Sequence, residues 1–233
     1  MVAKLFSVVG RPGTDVGIFA RLLSARLRAA ETLSVRVAAA AEVSHGTHLG
    51  NQIAQRDAEQ EGCLLPSAIV APLVQHRLQR AQISGGTCVL SAFPRTNDQL
   101  RMLQHAGLGT PQVLHLVLSR EDAEHRSAER RVCVSTGEPM YPVLAVAGAP
   151  GGVYEYLVES ECDSPMPVRD PADSQPVLAR RLDAFDEQTA PLLDQLRSRG
   201  AVQDIPLGET AEDTWEAILA ACGLPPERPT TDD

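Results

Sequence analysis

The sequence predicts an α/β fold with a mostly parallel sheet, and three observations carry that expectation. Short apolar runs alternate with amphipathic helical patterns along the chain. A Gly-rich turn joins the first apolar run directly to the first helical pattern. Two stretches, 38–66 and 132–168, interrupt an otherwise regular alternation, as insertions mounted on one core would.

Five runs read as strands: Leu5–Val9, Leu33–Val37, Cys88–Phe93, Val113–Leu118 and Val202–Pro206. Helical patterns separate them over 16–30, 67–82, 96–106, 121–131, 175–199 and 210–222. The first of these places Phe19, Leu22, Leu23 and Leu27 on one face. Helical crossovers between strands imply right-handed connections in a parallel sheet. Residues 38–66 are Ala-rich and then polar, which reads as helix. Residues 132–168 are rich in Gly, Pro and Val, which reads as turns and short strands. The tail after Cys222, with Pro225, Pro226, Pro229 and two terminal Asp, reads as disordered.

Composition narrows the function classes. A chain of 233 residues with 43% hydrophobic and 22% charged residues can bury one good core. Its net charge of −9 argues against a broad nucleic-acid or anionic-membrane surface, although Arg126 to Arg131 cluster positive charge locally. Five cysteines without dense spacing suit a reducing compartment. No signal peptide or long apolar run is visible, so a cytoplasmic protein is expected.

Residues Gly10 to Ile18 occupy the place of a phosphate-binding loop. Strand, Gly-rich turn and helix N-terminus together can cradle phosphate through backbone N–H groups and the helix dipole. The pattern G-x-x-x-x-G-K-[ST] needs a lysine to reach the outer phosphates. Here Val16 stands in its place, next to Asp15, while Gly10, Gly13 and Gly17 keep the glycine frame.

Four blocks in order resemble the adenylate kinase family. The loop is similar to that family's G-x-P-G-x-G-K-G-T. Ser91-Ala92-Phe93-Pro94-Arg95-Thr96 with Gln99 resembles D-G-F-P-R-T-x-x-Q, in which the arginine holds the monophosphate and the glutamine reads adenine. Arg126, Arg130 and Arg131 match the helix entering the family's lid. Arg180-Arg181-Leu182 through Leu192 is similar to R-K-R-L-x-x-Y-x-x-x-T-x-P-L. The resemblance spans about residues 4 to 222 and implies a P-loop-type parallel core with two insertions. Its parts would be a core (1–37, 67–131 and 169–222), an NMP-binding insertion (38–66), a lid (132–168) and a disordered tail (223–233).

The resemblance also implies roles. Phosphoryl transfer is catalysed mainly by positioning and by stabilising charge on the transferring group. Arginine suits this, because its planar fork holds phosphate oxygens bidentately. Gly10, Gly13 and Gly17 would bind the donor phosphates, Arg95 and Gln99 the acceptor nucleotide. Arg126, Arg130 and Arg181 would clamp donor and transferring phosphates. ATP, AMP and Mg2+ are the implied ligands, and the implied protein is a transferase working as a monomer outside any assembly. A protein partner or larger assembly is left open; nucleic acid and membrane are not expected partners.

The departures point the other way. Lysine becomes Val16, the following threonine Ile18, an interior glycine Asp15, and the aspartate that orients the magnesium shell Ser91. The family's S-T-G-D-x-x-R reads Ser34 to Ala40, so the acceptor arginine is Ala40. R-x-D-D reads Arg169-Asp170-Pro171-Ala172-Asp173, one residue longer. A unit charge about 4 Å away contributes about 4 kcal/mol at an effective dielectric of about 20. Losing the lysine while gaining a facing carboxylate therefore costs about 4 kcal/mol even after halving for solvent, roughly a thousandfold. Three placements of Asp15 are open: toward the phosphates, outward, or as a cap for the first helix. The departures predict a catalytically impaired, nucleotide-binding pseudokinase or structural subunit. The alternative is an active divergent ATP:AMP phosphotransferase in which Arg11 substitutes for the lysine. Zinc is not expected, since Cys133, Thr136, Glu159 and Cys162 make a poor set beside four cysteines.

Overall fold

The central strand β1 (Leu5–Gly10) is buried along almost its whole length, and the rest of the fold is layered on its two faces. The computed structural model describes residues 4–133, 139–142, 154–156, 167–208 and 210–226. β1 lies between β3 (Cys88–Ser91) and β4 (Gln112–Val117). β2 (Glu31–Ser34) and β9 (Val202–Pro206) form the two edges, giving the order β2-β3-β1-β4-β9. Every pairing in this sheet is parallel, with Phe6 opposite Val89 and Gln112. A sheet covered on both faces needs near-continuous apolar strands, which explains why β1 and β3 read as runs rather than alternations.

Alternate residues of β1 feed different layers. Phe6 and Val8 pack with Phe19 and Leu23 of α1 (Val16–Leu27) and with Trp215, Ile218 and Leu219 of α9 (Ala211–Ala221). On the opposite face Leu5 packs with α4 (Ser67–Ser84) and with Leu103 of α5 (Asn97–His105). Val9 packs with Phe185 and with Leu192, Leu193 and Leu196 of α8 (Ala190–Arg197).

The second expected strand is shorter than Leu33–Val37. It ends at Ser34, and α2 (Val35–Ser44) starts at Val35 despite the β-branched Val35 and Val37. Ser34 explains the switch, because its hydroxyl accepts from the Val37 N–H at 3.4 Å, as an N-cap does. α3 (His48–Gln60) follows and is capped by Thr47. A Cβ at Gly50 would lie 2.1 Å from the Glu42 carbonyl oxygen, so glycine lets α2 and α3 touch backbone to backbone. α6 (Arg120–Glu129) leads into β5 (Arg131–Cys133). With β6 (Pro139–Pro142), β7 (Tyr154–Tyr156) and β8 (Pro167–Val168) it makes a small antiparallel sheet in the order β7-β6-β5-β8.

The expected helix over 175–199 is interrupted. α7 (Gln175–Ala184) gives way to a π-helical turn, Phe185–Thr189, before α8. Pro191 supplies the reason: it has no N–H to donate and its ring collides with the carbonyl four residues back, so the backbone widens there. At the end of α9, Gly223 takes a positive φ of 67° and Leu224 donates to the Leu219 carbonyl and packs on the core. Residues 227–233 of the expected tail lie outside the described residues.

A polar cluster joins β4 to β9. His115 Nδ1 lies 2.6 Å from Asp204, and Arg197 grips the same carboxylate through Nε and Nη2. Burial pushes His115 below its ordinary pKa, while Arg197 is the main cause that holds Asp204 down at about 2. Both shifts make the unfolded chain bind more protons. Stability is therefore expected to fall in two windows: below the ordinary histidine range near pH 6.5, and again between the ordinary carboxylate value of 3.8 and about 2. Thermal unfolding from pH 8 to about pH 2 checks this. His115→Asn is expected to abolish the upper window; an unchanged upper slope contradicts the assignment.

Candidate functional site: an arginine cluster closed by internal carboxylates

The loop after β1 begins with a tight turn, Arg11-Pro12-Gly13-Thr14. The Thr14 N–H donates to the Arg11 carbonyl at 3.2 Å, and Thr14 Oγ1 donates to the same oxygen at 2.7 Å. Proline in second place and a glycine of φ 88° in third suit a type II turn. A Cβ on Gly13 would lie 3.1 Å from Ser127 Oγ and 3.3 Å from the Ala123 carbonyl oxygen. The loop therefore rests directly on α6. Among the described residues Ser127 Oγ, buried there, has no hydrogen-bond partner. Gly10 ends β1 under Thr14, and Gly17 is exposed on the first turn of α1.

Asp15 decides the character of this loop. It sits at the N-cap position of α1 in the left-handed region, at φ 50° and ψ 38°, yet its side chain makes no cap hydrogen bond. Its carboxylate turns inward instead and is only 4% exposed. One oxygen lies 3.2 Å from Arg130 Nε and the other 3.5 Å from Arg126 Nη2. The Arg130 contact is an ion pair rather than an aligned hydrogen bond. Arg126 also donates from Nε to the Gly13 carbonyl at 2.8 Å. Of the placements open from sequence, neither the capping nor the outward one occurs.

The ladder continues beyond Asp15. Arg130 Nη1 lies 2.5 Å from Asp173 and 3.4 Å from Asp170. Arg181 on α7 reaches the other Asp173 oxygen at 3.2 Å and donates to the Ala172 carbonyl at 2.9 Å. Asp173, with a side chain 1% exposed, ends a 3₁₀ turn, Pro171–Asp173. Positive and negative groups thus alternate: Arg126, Asp15, Arg130, Asp173, Arg181. Clustering three arginines costs repulsion that an anion must offset, and here carboxylates of the chain itself do so.

Arg95 differs. Among the described residues its guanidinium has no carboxylate partner, and Nε donates to Thr189 Oγ1 at 3.4 Å. Burial, and secondarily the Arg181 charge, lower its pKa to about 10. The Arg95 N–H donates to Gln99 Oε1 at 2.7 Å, so the buried Gln99 amide braces the backbone there. The π-helical turn supplies Thr189 to Arg95 and, on its other side, Asp186 to Arg11.

Arg11 points away from the loop's inner side. It pairs with Asp186 at 2.7 Å, donates to the Leu118 carbonyl and stacks over Phe185. Arg169 is exposed, and Ala40 lies exposed on α2. Thr136, Glu159 and Cys162 lie outside the described residues, whereas Cys133 is buried on β5. Among the described residues no group of three or more His, Cys, Asp or Glu could hold a metal ion.

A hollow bordered by Arg126, Phe19, Leu207 and Thr214 measures about 30 Å³. A larger hollow of about 340 Å³ lies between the end of α3 and α7, lined by Arg56, Gln60, Cys63 and Arg180, and includes no residue of the loop or ladder.

No family model matches the chain. It is similar to the adenylate kinase of Syntrophotalea carbinolica, with 31% identity over 225 residues, covering 93% of this chain and 98% of that one. The adenylate kinase of Streptomyces griseus is 30% identical over 224 residues, covering 91% and 95%. The chain belongs to the adenylate kinase family. The adenylate kinase of Chlamydia abortus, 26% identical over 224 residues, covers 94% of the chain and 98% of its own length. The adenylate kinase-type parallel sheet follows from the apolar runs and the described strands alike. Asp15 was visible in the sequence, but its left-handed backbone was not. In the Arg169–Asp173 block it is Asp173, not the exposed Arg169, that joins the site.

Asp173 is the member of the ladder with least access to water. Asp173→Asn is expected to destabilise the adenylate kinase-family fold by about 3 kcal/mol, because it leaves Arg181 facing Arg95 and Arg130 with Asp170 as the remaining carboxylate near it. Urea unfolding measures it, and a loss below about 1 kcal/mol contradicts the ladder's structural weight.

Proposed function

We propose that this adenylate kinase-family chain is a catalytically impaired, nucleotide- or anion-binding pseudokinase or structural subunit. The observation that carries the reading is the Asp15 carboxylate between Arg126 and Arg130. In this reading Arg126, Arg130 and Arg181 are the arginines that face donor and transferring phosphates, and Gly10, Gly13 and Gly17 frame the loop beside them. Their charge is already met by Asp15 and Asp173, and Val16 offers an apolar side chain that packs against the α1 side of the core. A triphosphate would have to displace a carboxylate without a lysine to attract it.

On the acceptor side Ala40 lacks the arginine of the resembled block, while Arg95 remains. Arg95, without a carboxylate partner among the described residues, would hold a monophosphate or a similar small anion, with Gln99 beside it. Residues 38–66 would form the NMP-binding insertion and 132–168 the lid, on a core of 1–37, 67–131 and 169–222. The donor set does not suit magnesium: Asp15 is engaged by arginines, and Ile18 and Ser91 bring no carboxylate. The protein would act in the cytoplasm, as a monomer or as part of a larger assembly. The rival reading, an active phosphotransferase using Arg11, is opposed by the contacts of Arg11 to Asp186 and Leu118.

Phosphoryl transfer from ATP to AMP is expected to be far below the ordinary kinase range of about 1–100 s⁻¹. A coupled ADP-forming assay on the purified chain measures it. Turnover within that range would sink the impaired-enzyme reading.

A further inference from the structure

The backbone of Asp15 is unusual in a way that its capping position does not explain. Non-glycine residues rarely adopt φ near 50°, and aspartate tolerates it partly by bonding its own backbone. The Asp15 side chain makes no cap hydrogen bond; the conformation delivers its carboxylate to two guanidiniums. Arg126 and Arg130, four residues apart, rise from one side of α6 and its end. Each faces one oxygen of Asp15, the arrangement in which two arginines would hold two oxygens of a phosphate. The loop is held in place by Arg126 on the Gly13 carbonyl and by the close seat of Gly13 on α6. The carboxylate is therefore presented at a fixed place, with a high effective concentration that any free anion must overcome.

We propose that Asp15 is an internal competitor for phosphate-type anions at the Arg126–Arg130 pair, and that this residue, more than the missing loop lysine, sets what the site can bind. The inference rests on reading these arginines as the phosphate-facing pair. It assigns Asp15 a selecting role: singly charged anions are refused, and only a polyanion able to replace both contacts competes. Val16→Lys alone, with Asp15 retained, brings a new cation to a site whose arginines stay occupied.

Isothermal titration with inorganic pyrophosphate at fixed ionic strength tests it. The proteins are the parent, Asp15→Asn, Asp15→Gly and Val16→Lys, each with its melting temperature recorded. Asp15→Asn keeps the size of the side chain, and Asp15→Gly suits the left-handed backbone should asparagine disturb folding. Either folded Asp15 variant is expected to bind at least about fivefold more tightly than the parent, and Val16→Lys to gain less than they do. Adding Arg130→Gln to the Asp15 variant is expected to remove the gain. A gain below about fivefold in both Asp15 variants overturns the proposal, as does a gain that survives Arg130→Gln or a larger gain from Val16→Lys. Ordinary phosphoryl transfer by the parent would end the impaired-enzyme reading and leave this comparison to be decided on its own titrations.

Discussion

A carboxylate held between two arginines governs the site. Asp15 is nearly sealed from water, so its charge must be met inside the protein, and Arg126 and Arg130 meet it. Everything nearby is consistent with that constraint. The loop lies down on α6, where a φ of 88° and close neighbours favour glycine at position 13, and Ser127 keeps a buried hydroxyl without a partner among the described residues. A buried polar atom left unsatisfied costs about 1–3 kcal/mol, which the rest of the fold must offset.

The same ladder ties together parts of the chain far apart in sequence. Arg130 closes α6 where the small antiparallel sheet departs, and Asp170 and Asp173 stand where the chain returns from it. Arg181 extends the contact to α7. One set of charges therefore links the loop, both stems of the small sheet and the helix behind them. In a buried setting such pairs need not add much net stability, but removing a single member leaves an uncompensated charge. The ladder is thus better understood as a device that specifies one arrangement of four segments than as a source of stability.

Much of this fold was legible in the sequence, because the parallel sheet demands continuous apolar strands and the helices show their apolar faces. The misses have local causes. Ser34 competes for the backbone and starts a helix where Val35 and Val37 suggested strand. Pro191 breaks the hydrogen-bond ladder and widens the backbone into a π turn, which an apolar periodicity cannot register. At the site, the arginines and the altered loop were readable as residue types, and so was the conflict between them. The resolution of that conflict was not, because it depends on one dihedral angle at Asp15 and on which of two acids in Asp170-Pro171-Ala172-Asp173 turns inward. Arg11 illustrates the same limit: its nearness in sequence suggested a substitute for the lysine, while Asp186, 175 residues away, takes its guanidinium.

The most direct test of the ion pairing is a double-mutant cycle between Asp15 and Arg130. Unfolding free energies of the parent, Asp15→Asn, Arg130→Gln and the double variant isolate the interaction from the separate effects of each change. A favourable coupling of at least about 1 kcal/mol is the result this structure predicts for a buried, close pair. Additivity within about 0.3 kcal/mol would contradict it, and would mean that the Asp15 carboxylate and the Arg130 guanidinium do not hold each other in solution.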